Sequence, residues 1–181
     1  MFVLLMSLLL IQRVTELILC RRNRKRLFAR GAVEYGKQHY PAMVGMHVLF
    51  YISLVLEYIF FSRGWNPQWP FWLLLLIGAE ALRTWVMSSL GPYWNTRIVM
   101  VPGSEMVKKG PYRFIRHPNY VVIVLELLSI PILCGAYLTA TVFSVLNILI
   151  LRVRIREEEK ALRQQMPAYA GNSLPRFVPR V

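Results

Sequence analysis

Five apolar stretches, separated by polar or basic ones, set the pattern of this chain. They run from Phe2 to Cys20, from about Ala42 to Phe61, from about Phe71 to Leu90, from about Asn119 to Cys134, and from about Tyr137 to Leu151. A bilayer core about 30 Å thick is crossed by roughly 20 apolar helical residues. The first three stretches reach that length. The last two are shorter and meet at Gly135-Ala136, which reads as a tight helical hairpin. The pattern therefore predicts an all-α integral membrane protein with five transmembrane helices. The first stretch reads as a retained span: its basic cluster follows the apolar run, and no small-residue cleavage pattern adjoins it.

Composition agrees with that class. Of 181 residues, 56% are hydrophobic and 17% charged, against about 25% charged in a soluble domain. Intrinsic disorder is excluded by the same numbers. The 22 Lys and Arg against 9 acids, all glutamate, give a net charge of +13. A basic nucleic-acid module has such a balance, but here the charges cluster between apolar runs, so no nucleic-acid partner is expected. Their distribution sets an orientation. Arg21 to Lys37 carries seven basic residues, Arg97 to Arg116 five, and the tail from Arg152 onward seven. The loop at Arg63 carries one, and Gly135-Ala136 none. Five spans put the rich segments on one side, and the positive-inside rule makes that side cytoplasmic, with the N-terminus outside. Residues 1–181 are expected to form one membrane-embedded domain. Its parts are three spans in 1–90, then a loop, spans 4 and 5 and a tail in 91–181. The two cysteines, Cys20 and Cys134, form no disulfide or zinc framework and read as packing residues.

Several ionisable residues lie inside the spans. Arg13 with Glu16, and Glu80 with Arg83, share helix faces three apart and can neutralise each other. His47 and Glu57 stand alone. Burying such a charge costs at least ~2.5 kcal/mol, so each is expected to face the bundle interior. Glu126 lies two turns beyond His117-Pro-Asn-Tyr120. An intramembrane acid is a functional candidate by default, and a structural partner elsewhere in the bundle is the equal alternative.

Between spans 3 and 4, Gly91 to His117 is too broken by Pro and Gly for a long helix. Loops of this length are usually functional or disordered. Gly110-Pro-Tyr-Arg-Phe-Ile-Arg-His-Pro-Asn-Tyr120 mixes aromatics with Arg113, Arg116 and His117, which is not disorder-like. Taken alone it reads as a basic interfacial anchor. Pro118 suits the first turn of the fourth helix. Span 5 continues into Arg152-Val-Arg-Ile-Arg-Glu-Glu-Glu-Lys160, where Arg154 and Glu158 share a face and read first as a surface salt-bridge ladder. Tyr169 to Pro179 is expected to form a non-helical cap. No two glycines are closer than five positions, so the dinucleotide and phosphate-loop fingerprints are absent. Neither CxxC nor HExxH occurs, and no metal site is expected.

Two of these segments carry a resemblance. Gly110-Pro-Tyr-x3-Arg-His-Pro-Asn-Tyr120, followed by Arg154-Ile-x2-Glu-Glu-x2-Leu162 and a terminal Pro-Arg-Phe-Val-Pro, resembles the isoprenylcysteine carboxyl methyltransferase family over roughly residues 91–181. Asn23, Arg30-Gly-Ala-Val-Glu-Tyr-Gly36 and His39-Tyr40 are similar to a bacterial branch acting on phenolic lipids or alkylpyrones. Val122 stands where the prenylcysteine branch often has glycine. The resemblance implies an integral membrane enzyme, in a bacterial inner membrane, that uses S-adenosylmethionine. It implies a cytoplasmic-side cofactor pocket formed by the loop before helix 4 and the C-terminal segment. Ser104, Glu105, Met106, Val107, Tyr112, His117, Pro118, Asn119, Tyr120 and Glu158 would bind the cofactor. Arg154 would meet the substrate, and Arg116 and Glu126 are the further catalytic candidates.

These residue types suit the chemistry. Tyrosines and an apolar wall fit an adenine ring and a sulfonium, partly through cation–π attraction. A carboxylate such as Glu158 fits an amino group or ribose hydroxyls. His117 and nearby backbone donors suit a carboxylate. Methyl transfer is an in-line displacement in which alignment can contribute ~7–11 kcal/mol. A carboxylate or acidic enol needs no strong base, and Arg154 can hold an anionic oxygen by paired hydrogen bonds. A phenol, with pKa near 10, would need one, with Glu126 or His117 the candidates. The partners expected are a lipophilic small-molecule acceptor and membrane lipids. Methylation of phospholipid amines and a non-catalytic membrane scaffold are the competing readings. A small transporter is disfavoured by the lack of an evident repeat.

Overall fold

The computed structural model describes residues 1–61, 64–166, 169 and 174–177. Among these, five α-helices form the bundle: α1 (Phe2–Phe28), α2 (Tyr40–Phe61), α3 (Trp69–Leu90), α4 (Pro118–Leu133) and α5 (Tyr137–Gln165). Four of them, α1, α2, α3 and α5, are long and apolar enough to cross a membrane, whereas α4 is a shorter apolar helix of 16 residues. The outward faces carry large exposed apolar side chains, including Leu4, Leu8, Ile11, Leu49, Phe60 and Leu74. A soluble monomer does not leave so much contiguous apolar surface in water, so the chain is an integral membrane protein. Inside, Met46, Phe50, Leu54, Leu76, Leu127, Ile130, Leu133 and Phe143 make the main core where α2 to α5 meet. Arg63, Val178 and Pro179, used above, lie outside the described residues.

Two helices outrun their apolar stretches. α1 continues past Cys20 to Phe28, and α5 past Leu151 to Gln165. The α4–α5 hairpin is as tight as its two small residues suggest. Gly135 takes φ +72, and the Ala136 amide donates to Pro131 O at 2.8 Å. Glu57 of α2 then caps α5, its carboxylate accepting from the amides of Leu138 at 3.0 Å and Thr139 at 2.7 Å. Those amides have no partner within their own helix, and the helix dipole favours an anion there. The lone Glu57 is thereby explained.

The ionisable residues of α1, α3 and α4 form one network rather than two separate pairs. Arg83 Nη1 donates to both oxygens of Glu16 at 3.0 and 3.1 Å, and its Nε to Glu126 Oε1 at 2.8 Å. Arg13 bridges the same two acids, at 2.9 Å to Glu16 and 2.6 Å to Glu126. The expected Glu80–Arg83 pair is long, 3.7 Å, while Gln12 donates to Glu80 at 2.5 Å. Helix spacing finds partners on one helix; it does not reveal that packing offers each arginine closer partners on others.

The loop between α3 and α4 has internal order. It holds 3-10 turns at Gly91–Tyr93 and Gly110–Arg113 and a strand, β2 (Ile98–Met100). β2 pairs antiparallel with β1 (Val33–Tyr35) of the α1–α2 connection, Val33 opposite Met100 and Tyr35 opposite Ile98. Strands of three residues are too short to show alternation, and their existence depends on each other. Asn23 of α1 ties the loop down further by donating to Gly91 O and Trp94 O. Gly110 is where the loop meets α3: at φ +52 a Cβ there would collide with Ser89 Oγ.

Candidate functional site

The loop, the end of α5 and the tail residue Tyr169 enclose a cleft of about 160 Å³. Ser104, Glu105, Met106, Val107, Tyr112, Arg116, Arg154 and Glu158 all line it. β2 supplies a wall through Ile98, Val99 and Met100, and Leu162 of α5 with Met166 just beyond it supply another. These stretches are distant in the chain. They meet because β2 is pinned to β1 and because α5 stays helical beyond its apolar run.

Tyr120 and Glu158 are brought together: the buried Tyr120 hydroxyl donates to Glu158 Oε2. Arg154, also buried, donates from Nε to the same hydroxyl at 3.0 Å and from Nη2 to Thr96 O at 2.7 Å. Its Nη1 rests on Met43 Sδ of α2 at 3.3 Å, a weak acceptor. Arg154 and Glu158 are therefore not a surface ladder; both are organised by Tyr120. Burial, then the Glu158 charge, pushes the Tyr112 hydroxyl up from its ordinary value, so Tyr112 serves as a neutral aromatic wall.

The remaining motif residues lie behind the cleft. Pro118 opens α4, as its missing N–H permits. His117 stacks on Tyr120 with ring centroids 5.3 Å apart, and its Nε2 lies 3.2 Å from Glu159 Oε1. Asn119 Oδ1 is buried without a hydrogen-bond partner among the described residues. Glu126 lines neither this cleft nor the hollow described below; it belongs to the network with Arg13 and Arg83.

Glu159, not singled out from sequence, locks the tail to the motif. Arg176 grips it with two hydrogen bonds of 2.8 and 2.6 Å, and Arg116 approaches to 3.5 Å. The amides of Arg116 and His117 in turn donate to Pro175 O and Arg176 O. The hydrogen bonds to Glu159 hold the Arg176 guanidinium above its ordinary pKa. Only its place in the run Glu157-Glu158-Glu159 hinted at a role. Arg97 was likewise missed. It donates to Glu34 at 2.6 Å and stacks 4.0 Å over Tyr40, fastening the α1–α2 connection to the cleft wall.

The donor set suits S-adenosylmethionine. Ser104 Oγ and Arg116 Nε, both on cleft-lining residues, are buried with no hydrogen-bond partner among the described residues. Such orphans normally have a ligand or water to satisfy them. Tyr112 and the β2 wall offer apolar area for a base, and Glu158 a carboxylate for an amine or hydroxyl. Among the described residues no group of three or more His, Cys, Asp or Glu side chains is placed to hold a metal ion.

The profile of the isoprenylcysteine carboxyl methyltransferase (ICMT) family matches residues 72–164. The chain belongs to this family. ICMT-family proteins are membrane methyltransferases that use S-adenosylmethionine, and the match spans the loop, the His117-Pro118 motif and the Arg154–Glu158 segment. Relatives extend beyond that region. The uncharacterized protein YpbQ of Bacillus subtilis is 43% identical over 91% of this chain and 98% of its own length. An uncharacterized protein of Haemophilus influenzae is 32% identical over 86% of this chain and 91% of its own. The cobalt-zinc-cadmium resistance protein CzcN of Cupriavidus metallidurans is 25% identical over 72% of this chain and 61% of its own. Alignments of 164 and 156 residues extend well beyond the 72–164 match.

Proposed function

We propose that this ICMT-family protein methylates an oxygen, a carboxylate or acidic enol, of a lipophilic acceptor at the cytoplasmic face of the membrane. In this reading the protein spans the membrane five times, with α4 crossing as the short helix of a protein-buried hairpin and the N-terminus outside. Residues 1–181 act as one domain. The observation that carries the reading is the junction of Tyr120, Arg154 and Glu158 at the edge of a cleft walled by Ser104–Val107.

Bound S-adenosylmethionine would supply a methyl group activated by its positive sulfur, for in-line displacement by the acceptor oxygen. The chain's residues bind, orient and exclude water. Ser104 to Val107, Tyr112 and Glu158 hold the cofactor, with Ser104 Oγ and Arg116 Nε as the donors still to be satisfied. Pro118 and Asn119 set the start of α4, and His117 braces Tyr120 from behind. Tyr120 fixes the directions of both Arg154 and Glu158. Arg154 keeps Nη1 for the acceptor, since an anionic oxygen is a far better partner than the Met43 thioether.

Proton handling favours an acidic acceptor. Both oxygens of Glu126 are engaged by arginines, and His117 Nε2 is turned to Glu159. Neither residue lines the cleft, His117 Nδ1 lying 4.0 Å behind Glu158 Oε2, so an acceptor already ionised at neutral pH fits best. Lipid extracts of cells with and without the enzyme, compared by mass spectrometry, test this. The expected product is an O-methylated acidic lipid one methylene heavier. Methylated phosphatidylethanolamine instead would replace this reading with amine methylation. In detergent, Glu158→Gln should abolish calorimetric binding of S-adenosylmethionine, and undiminished affinity would remove Glu158 from the pocket.

A further inference from the structure

A second hollow, of about 560 Å³, lies between α4 and α5. Its walls are apolar: Val121, Val124 and Leu125 from α4, and Ile148, Leu151 and Ile155 from α5, with Tyr120 against it. Arg152, Arg156 and Arg176 line the same hollow, and among the described residues no acidic one does. Arg152 directly follows the apolar run of α5, so these guanidiniums stand where hydrocarbon gives way to headgroups. Arg152 and Arg156 are exposed and form no ion pair among the described residues.

We propose that this groove is a binding site for a membrane phospholipid with a net-negative headgroup. An acyl chain lies along the α4–α5 walls and the phosphate meets Arg152 and Arg156. Charge complementarity selects the occupant. A zwitterionic lipid also brings an ammonium, and the groove has no carboxylate to receive it. The methyl acceptor is a poorer fit, because Arg154 and Glu158 line the other cleft and not this one. Basic pockets between helices on the cytoplasmic side suit anionic headgroups in general. The site has a mechanical consequence. Arg176 reaches both the groove and Glu159, so a phosphate here adds a contact that holds the tail against Arg116 and His117. The proposal does not depend on the methyl-transfer reading.

The test uses the full chain, delipidated in detergent and titrated with phosphatidylglycerol or phosphatidylcholine, with bound lipid counted by native mass spectrometry. One phosphatidylglycerol per chain is expected to be retained in preference to phosphatidylcholine. Arg152→Gln with Arg156→Gln should weaken that binding roughly thirtyfold, about fivefold for each arginine. Val124→Trp, which fills the groove without removing charge, should abolish it. Arg21→Gln with Arg22→Gln, on the cytoplasmic end of α1, should leave it intact. Equal retention of the two lipids overturns the proposal. So does a loss as large in the α1 pair, retention in Val124→Trp, or a lipid-free dimer that closes the groove.

Discussion

The bundle contains two clusters in which arginines sit among carboxylates, and they differ in what adjoins them. In the helical interior, Arg83 and Arg13 each bridge Glu16 and Glu126, joining α1, α3 and α4. At the end of α5, Arg154, Tyr120 and Glu158 are linked just as closely, but a cleft opens beside them and buried polar atoms on its lining lack partners among the described residues. The interior cluster pairs both guanidiniums with carboxylates on neighbouring helices, so its chemistry is spent on holding helices together. The cluster at the end of α5 is held rigid by its own bonds yet keeps capacity for a ligand. An ionisable residue in a span is thus a functional signal only when a hollow meets it, and Glu126 lacks one.

The sharpest way to break this comparison is to remove the interior cation. Arg83→Met leaves Glu16 and Glu126, both nearly fully buried, to share Arg13 alone. Breaking one side of a buried pair typically costs about 3–5 kcal/mol. Unfolding of the detergent-solubilised protein should register that loss. A change below about 1 kcal/mol, the scale of an exposed pair, would mean that the network is ornamental.

Arg154→Ala should separate the clusters in kinetics. Removing a preorganised donor from a reacting group commonly lowers turnover by about 10²–10³-fold. Affinity for S-adenosylmethionine should change little, because Glu158 and the Ser104–Val107 wall remain. Equal losses in turnover and affinity would move Arg154 to the cofactor side of the site.

The two clusters were unequally legible in the sequence. His117-Pro118 and the Arg154–Glu158 segment are local patterns, and helix spacing alone puts Arg154 and Glu158 on one face. The spans were legible because hydrocarbon demands long apolar runs. Partner choice was not: Arg13 and Glu126 are 113 residues apart, and nothing local distinguishes that bridge from the Arg13–Glu16 pair. β1 and β2 were hidden for a related reason, each being stable only against the other. Glu159 was hidden behind its neighbour Glu158, because one position along α5 turns a side chain from the cleft to the tail.

That turn gives a smaller, local effect. Glu159→Gln keeps the shape but removes the charge that Arg176, Arg116 and His117 share. Hydrogen bonds to a charged group are worth about 1.5–3 kcal/mol. The tail should loosen, and the Arg116 and His117 amides, which donate to Pro175 O and Arg176 O, should exchange their hydrogens faster. Unchanged exchange would show that the backbone bonds hold the tail unaided.

The smallest effect is expected at Glu57, a buried acid that belongs to neither cluster. It has no arginine partner among the described residues, only the amides of Leu138 and Thr139 at the start of α5. Glu57→Gln keeps one acceptor oxygen, so one amide stays bonded, while the attraction between a full negative charge and the helix terminus is lost. Cap substitutions of this kind cost typically about 1 kcal/mol. The thermal midpoint should fall modestly, with S-adenosylmethionine affinity unaltered because the cap is at the opposite end of α5 from Glu158. Glu57→Ala, which frees both amides, should fall further. If the two variants fall equally, the single remaining hydrogen bond contributes nothing and the charge alone makes the cap. If neither falls, water satisfies those amides in place of the carboxylate, and the buried position of Glu57 needs another cause.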